Sequence, residues 1–440
     1  MKLTKSSELL LAFFKNKQCI PYVKCNDKSI KIFRSLYSDI CDADRFIQSV
    51  KNGNNNNHYK RSIRTIKSRN DLPNFNNFPR DIFTKEVQHH IDVNMKLILR
   101  YSLELFNRKI NIHFIIERAD VDVEYEKYDK CVNSILMWSY ILNKYSSIHC
   151  SKDWNIYLYF TSLEKKLPNK NIHLQDNILN YNHINTGFTT TCPQISEIVI
   201  FRKEEWFKVF IHESFHNFAL DFSDMNVSDL NKAVLAIFPI KSDGNLFEAY
   251  TEFWAEIVNI SFCSYFYSKP GHVDRFVSFL SNVDWLIHYE RIYSFFQLNK
   301  VLNYMGLTYK NLYSKDKTSA VLRETLYKEN TNIFAYYVVK CILINNYNGF
   351  LLWCYEHNGP GKIIQFSKTQ QNLFDFYSFI KKNYKTASFE NNIDCMEKYM
   401  LKFRKNMNSL GSGSGVGSTT HKQNIYYLLN NMKMSIFELE

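Results

Sequence analysis

Two histidines four residues apart, with a glutamate directly after the first, stand in the run Ile211-His212-Glu213-Ser214-Phe215-His216-Asn217-Phe218. On a helix that spacing puts both imidazoles on one face about a turn apart, where both can reach one tetrahedral metal ion. Glu213 then projects beside the metal instead of onto it. There it can take a proton from a metal-bound water and later pass it to a leaving amine. The neighbours Trp206, Phe207, Val209, Phe210, Ile211, Phe215 and Phe218 are apolar. The helix is therefore expected to be buried, where unpaired His and Glu would be costly unless a metal satisfies them.

A catalytic metal site of this kind needs a third protein ligand and an open fourth position. Downstream, Glu248, Glu252 and Glu256 fall at i, i+4 and i+8 of an otherwise apolar stretch, Phe247-Glu248-Ala249-Tyr250-Thr251-Glu252-Phe253-Trp254-Ala255-Glu256. Like charges at that spacing repel, so a cation or the metal-bound histidines must compensate them. With this stripe the chain resembles the gluzincin branch of the zincin zinc metallopeptidases. In that branch an HExxH helix is followed by a second helix whose Glu completes the site, and an acidic residue four positions later holds a ligating His. The resemblance implies one Zn2+ per chain, His212, His216 and Glu248 as ligands, Glu213 as the catalytic base, and Glu252 as the carboxylate that fixes a His tautomer. The same stripe admits a second register, with Glu252 as ligand and Glu256 behind it. Glu-Ala-Tyr-Thr-Glu-Phe is closer to the family's Glu-Ala-x-Ser-Asp type of pattern in the first register. Phe247 stands where thermolysin-like members commonly carry Asn.

The resemblance also implies an antiparallel edge strand that pairs with extended substrate just ahead of the active-site helix, and a Tyr or His from the following lobe that stabilises the oxyanion. Asn185–Thr191 lies in the first place, so Gly187 and Thr189 are candidate substrate contacts; an ordinary Thr-rich hairpin is the alternative. Tyr336 and Tyr337 open an apolar helix in the second place, against the alternative of packed core tyrosines in a chain with 29 Tyr. Cys192 lies near the His pair but carries no nucleophile signature, and reads as a structural thiol.

These residues need a scaffold. Strands are expected at Ile110–Ile116, Trp154–Phe160 and Glu197–Arg202 from β-branched and alternating character. Helices are expected at Glu124–Tyr145, Lys203–Leu220 with Glu204 and Glu205 in its first turn, and Asn245–Phe266. Further helices follow at Val273–Asn303, Ser319–Glu329, Asn332–Asn345 and Leu373–Lys385. The expected fold is α+β: a zincin-like core of a small twisted sheet (strands near 110, 154, 187 and 197) plus the active-site helix, closed by a mostly helical C-terminal lobe. The divisions are a mixed, partly helical region 1–105 with a mobile Asn-rich basic loop, the core 106–268, the helical lobe 269–409, a Gly/Ser linker 410–420, and a terminal helix 421–440 drawn around Asn424–Leu439.

The bulk properties narrow the function classes. The 440 residues carry 45% hydrophobic and 16% aromatic side chains with 12 Gly, a folding composition. No run of about 18 apolar residues is present, so no membrane span is expected. Ten scattered cysteines without a CxxC pair, and no signal-peptide pattern, read as reduced thiols in an intracellular compartment. There is no GxxxxGK[ST] or GxGxxG, which removes sequence support for nucleotide binding. The expected substrate is a protein or peptide. The net charge of +12 and the patch Lys60, Arg61, Arg64, Lys67 and Arg69 leave two rival readings: a basic nucleic-acid-binding protein, or a catalytically idle structural protein of the same fold, such as a virion component.

Overall fold

The structure is a computed structural model that describes residues 2–15, 20–53, 59–117, 124–268, 274–359, 361–409 and 416–439. Helices α1 (Lys5–Phe14) and α2 (Asp27–Gly53) precede a six-stranded sheet built from β1 (Lys60–Thr65), β2 (Leu97–Leu105), β3 (Arg108–Ile116), β4 (Asp153–Phe160), β5 (Gly187–Thr189) and β6 (Ile195–Ile200). Their order is β1-β2-β3-β4-β6-β5, with β3, β4 and β6 parallel and the remaining pairings antiparallel. Short helix α3 (Lys85–Asn94) lies between β1 and β2, α4 (Tyr125–Tyr145) crosses from β3 to β4, and α5 (Tyr181–Ile184) precedes β5. The mixed α+β class expected from the sequence is present, and the strands near 110, 154, 187 and 197 share the sheet.

The reasons are local. Strands β3 and β4 are near-continuous apolar runs, as parallel strands covered on both faces must be. One face packs on α4 and on α6 (Trp206–Asn217), with Trp138 stacked on Phe215 at a ring separation of 6.1 Å. The other face is covered by α3 and by Phe75, Phe78 and Phe83. Phe106 and Asn107 both have φ 55°, so β2 and β3 join in a two-residue hairpin of the type whose twist matches the strands.

Beyond the sheet the chain is helical: α7 (Ser228–Ile237), α8 (Leu246–Tyr267), α9 (Arg275–Met305), α10 (Tyr309–Tyr313), α11 (Lys317–Leu326), a π-helical turn (Phe334–Val339), α12 (Lys340–Asn345), α13 (Tyr347–His357), α14 (Gln370–Asn383), α15 (Ala387–Ser409) and α16 (Val416–Asn430). Helix α8 is buried along most of its length, in keeping with its apolar character all round. No helix among the described residues is long and apolar enough to cross a membrane.

Several expectations are corrected. The basic stretch after the Asn tract is not a loop: Lys60–Thr65 is strand β1, aligned on β2 by backbone pairing, while residues 54–58 lie outside the described residues. A division at 105/106 falls inside the β2–β3 hairpin, where Leu105 pairs with Arg108. One apolar cluster runs from Leu3 to Phe437, so the region before 105 shares its core with the helical lobe. Glu204 and Glu205 precede α6 instead of forming its first turn, because Glu205 adopts a left-handed conformation, φ 55°, as the capping residue. The Gly/Ser run is part helix, since α16 starts at Val416; residues 410–415 lie outside the described residues. The final helix ends at Asn430, and residues 431–437 after it are buried and without regular structure.

The cysteine expectation is corrected as well. Cys150 and Cys192 form a disulfide, and Cys395 is also disulfide-bonded. Cys150 precedes β4 and Cys192 precedes β6, and these two strands are parallel neighbours. The sheet brings together cysteines whose 42-residue separation carries no local signature. Trp138→Ala removes the ring that fills the space between α4 and α6, and should lower unfolding free energy by about 3–5 kcal/mol, read as a lower denaturant midpoint at unchanged slope.

Candidate metal centre

Helix α6 delivers the two histidines and α8 delivers the carboxylates opposite. His212 Nε2 and His216 Nε2 lie 3.2 Å apart. Glu248 Oε2 sits 3.2 Å from the first and 3.3 Å from the second. These three donor atoms converge with metal-ligand geometry, and the three residues form the candidate metal-binding group among the described residues.

Each imidazole is held from behind. His212 Nδ1 lies 3.0 Å from Glu252 Oε2, and His216 Nδ1 faces Asp221 Oδ2. A carboxylate accepts only, so each Nδ1 donates to the carboxylate behind it, and Nε2, which faces Glu248, is the nitrogen left to bind a metal. Glu252 in turn pairs with the buried Lys208, one helical turn before His212. Asp221 is fixed by Ser223, whose N–H and hydroxyl donate at 3.1 and 2.8 Å, and by the Thr251 hydroxyl at 3.2 Å.

The backbone explains how Asp221 returns to the helix it follows. Ala219 ends α6 in the left-handed region, φ 53°, with Ala219 N–H donating to His216 O and Leu220 N–H to Phe215 O. That reversal brings Asp221 beside His216. Nothing in the HExxH spacing foretells it; the only sequence trace is an acidic residue five positions on.

Burial and charge set the protonation of the group. Burial alone would lower the pKa of His216, but Asp221 and Glu248 outweigh it and push the value well above the ordinary histidine range. Burial would raise Glu248 and Glu252, yet His216 and His212 hold the first below the usual carboxylate range, and Lys208 and His212 do so for the second. Glu213 goes the other way: burial raises it, and the opposing histidines do not compensate. The four carboxylates around two imidazoles favour positive charge at the convergence point.

Glu213 points toward the sheet edge. At Gly187 in β5, an added Cβ would lie 3.0 Å from Glu213 Oε1 and 3.0 Å from the Val199 carbonyl oxygen, so a larger residue would force Glu213 or the strand to shift by a few tenths of an ångström. Strand β5 is the outer strand beside β6 and pairs with it antiparallel, so the segment is both an edge strand and one arm of a hairpin. Thr189 is placed differently from Gly187. Its hydroxyl donates to Glu197 O at 2.7 Å and accepts from Asn217 Nδ2 at 2.9 Å, which ties β5 to the end of α6.

The two tyrosines separate. Tyr336 donates to Glu248 Oε2 at 2.9 Å and its ring lies 5.9 Å from that of His212. Tyr337 donates instead to Met432 O at 2.9 Å, away from the group, and its assignment to the site is corrected. In the alternative register the placements differ: Glu252 lies behind His212, and Glu256 pairs with Lys340 at 2.6 Å, while Glu248 is the carboxylate grouped with the two histidines. Asn332, which the sequence reading passed over, donates to Glu248 Oε1 at 3.0 Å and is itself held by Asn245.

Comparison with known protein families, with curated proteins and with solved structures returns no match. The functional reading therefore rests on the geometry of the site. Elsewhere, the basic patch is largely engaged within the chain: Arg61 pairs with Asp129 at 2.9 Å, Arg69 with Asp92 at 3.5 Å, and Arg64 donates to the Asp71 carbonyl. The Asp221 contact yields a direct test. Asp221→Asn should weaken metal binding about 10–100-fold while leaving the far-ultraviolet circular dichroism unchanged, as measured by competition with a metallochromic chelator.

Proposed function

We propose that the chain is a zinc-dependent peptide-bond hydrolase of the zincin type. The observation that carries this reading is the convergence of His212 Nε2, His216 Nε2 and Glu248 Oε2, each imidazole backed by its own carboxylate. Two lone pairs and a carboxylate oxygen facing one another within 3.3 Å need either extra protons or a cation between them. Two imidazoles and one carboxylate are a donor set that suits zinc, and three protein ligands leave a position open. A zinc ion bound there supplies a Lewis acid that polarises a carbonyl and lowers the pKa of water.

The chain's own residues divide the remaining work. Glu213, buried and with its proton affinity raised, takes the proton of the attacking water and returns it to the leaving amine. Strand β5 offers its outer main chain to an extended peptide, and Gly187 keeps that strand against Glu213. The Tyr336 hydroxyl donates to Glu248 Oε2 while Asn332 holds Oε1; to serve an oxygen that gains charge it would have to exchange that contact for the substrate's. The basic-patch reading has weaker support, because its arginines are internally paired.

Elemental analysis of the purified chain should give about one zinc per molecule, lost in His212→Ala and in Glu248→Ala. Glu213→Gln should keep the metal and reduce peptide hydrolysis at least about 100-fold. A wild type that binds no zinc after refolding with metal would sink the reading. Zinc retained without hydrolysis of any peptide library would move the assignment to an idle, structural member of the same fold.

Gly187→Ala should also keep zinc but lose most hydrolysis, because its methyl group displaces Glu213 or the strand. A variant with wild-type turnover would mean that substrate does not depend on this strand.

A further inference from the structure

After α16 the chain does not finish as helix. Residues Asn431–Leu439 run without regular structure through the interior, bent at Met434 and Ile436, and Met432, Lys433, Ser435, Ile436 and Phe437 are fully buried. Apart from isolated bridges to Lys166 and Leu3 the segment belongs to no sheet. Buried main chain must nevertheless be satisfied.

Side chains satisfy it here. Glu205 accepts from Met434 N and Ser435 N at 2.9 and 2.7 Å. Glu290 accepts from the Ser435 hydroxyl at 2.6 Å, from Ile436 N at 2.9 Å and from Phe437 N at 3.1 Å. On the carbonyl side, Lys300 donates to Asn431 O, Tyr337 to Met432 O, Lys340 to Met434 O and Asn259 to Phe437 O. A groove can hold a bound peptide in this way, with side chains satisfying its main chain and apolar side chains as anchors. That differs from the way a core strand is held, by a ladder to its neighbours.

The elements that grip the segment also carry the candidate metal centre. Glu205 caps α6, Tyr337 follows Tyr336 in the π-helical turn, and Lys340 pairs with Glu256 on the helix of Glu248 and Glu252. Ahead of α16 the sequence is Gly411-Ser412-Gly413-Ser414-Gly415, a run without large side chains.

We propose that Asn431–Leu439 is a separable peptide ligand of this groove, and that its docking organises the His212, His216 and Glu248 group. The groove takes the same sequence whether it is joined to the chain or supplied on a separate one. The coupling to metal rests on the zinc reading above, whereas the peptide binding does not.

The test uses the full chain with a site-specific protease sequence inserted between Ser412 and Gly413. After cutting, the piece carrying 416–440 should co-elute with the body on size exclusion. An excess of a fluorescent synthetic 416–440 peptide should then replace it, with a saturating rise in anisotropy. A Ser435→Pro version of the peptide, which lacks one N–H that Glu205 accepts, should compete about tenfold less well or worse. Body reloaded with the wild-type peptide should bind zinc about tenfold more tightly than body carrying the proline version.

Failure of the labelled peptide to exchange while the cut protein stays folded would overturn the proposal. So would equal uptake of the two peptides, or aggregation of the cut chain that added peptide does not rescue on refolding. Exchange with equal zinc affinities would overturn the coupling. If the uncut chain binds no zinc at all, the zinc reading fails on its own, and anisotropy still decides the peptide site.

Discussion

An imidazole presents a lone pair to a fixed point only if something behind it fixes both its ring plane and its proton. In this chain Glu252 does that for His212 and Asp221 for His216, and much of the surrounding structure follows from the need to keep those two carboxylates in place and charged. Glu252 requires the buried Lys208, which requires α6 and α8 to pack with their polar stripes face to face. Asp221 requires the reversal at Ala219 and the hydroxyls of Ser223 and Thr251. Removing one member of such a set leaves a buried charge unpaired, which costs more than the pair itself contributes.

The same economy extends outward in a row of buried ion pairs: Lys165 with Glu205, Lys208 with Glu252, Lys340 with Glu256, and Lys433 with Glu438. Pairs of this kind are weak sources of net stability because desolvation offsets their attraction. Their contribution here is positional. Each fixes the register between two elements that apolar contact alone would allow to slide, and together they join the start of α6, the length of α8 and the segment after Asn430.

Legibility from sequence follows how local each contact is. His212, Glu213 and His216 were readable because helical spacing alone puts them together, and Glu248 with Glu252 because a four-residue acidic repeat is odd on an apolar helix. Strands β3, β4 and β6 and helices α4, α8 and α9 were readable from periodicity, with ends shifted by a few residues, whereas strands β1 and β2 and the long helices α2 and α15 were not. Asp221 was not, since its place depends on one left-handed residue, and Asn332 was not, since an amide ahead of an apolar run has no helical phase to betray it. Tyr336 and Tyr337 could not be told apart because the phase of a π-helical turn differs from that of the α-helix expected there. The Cys150 to Cys192 bridge depends on which strands become neighbours, a property of the whole sheet. The segment after Asn430 was expected to continue the final helix, and its non-helical path is set by distant partners such as Glu205 and Glu290.

That last feature has a bearing on biosynthesis. During translation the residues of α6 leave the ribosome long before Met434 and Ser435 do, so the carboxylate of Glu205 has no main-chain N–H from that segment to accept while most of the polypeptide is being made. A nascent chain can form the sheet and the HExxH helix early, yet the interior around them closes only when the last strand of contacts arrives. The order of synthesis thus sets the order of assembly.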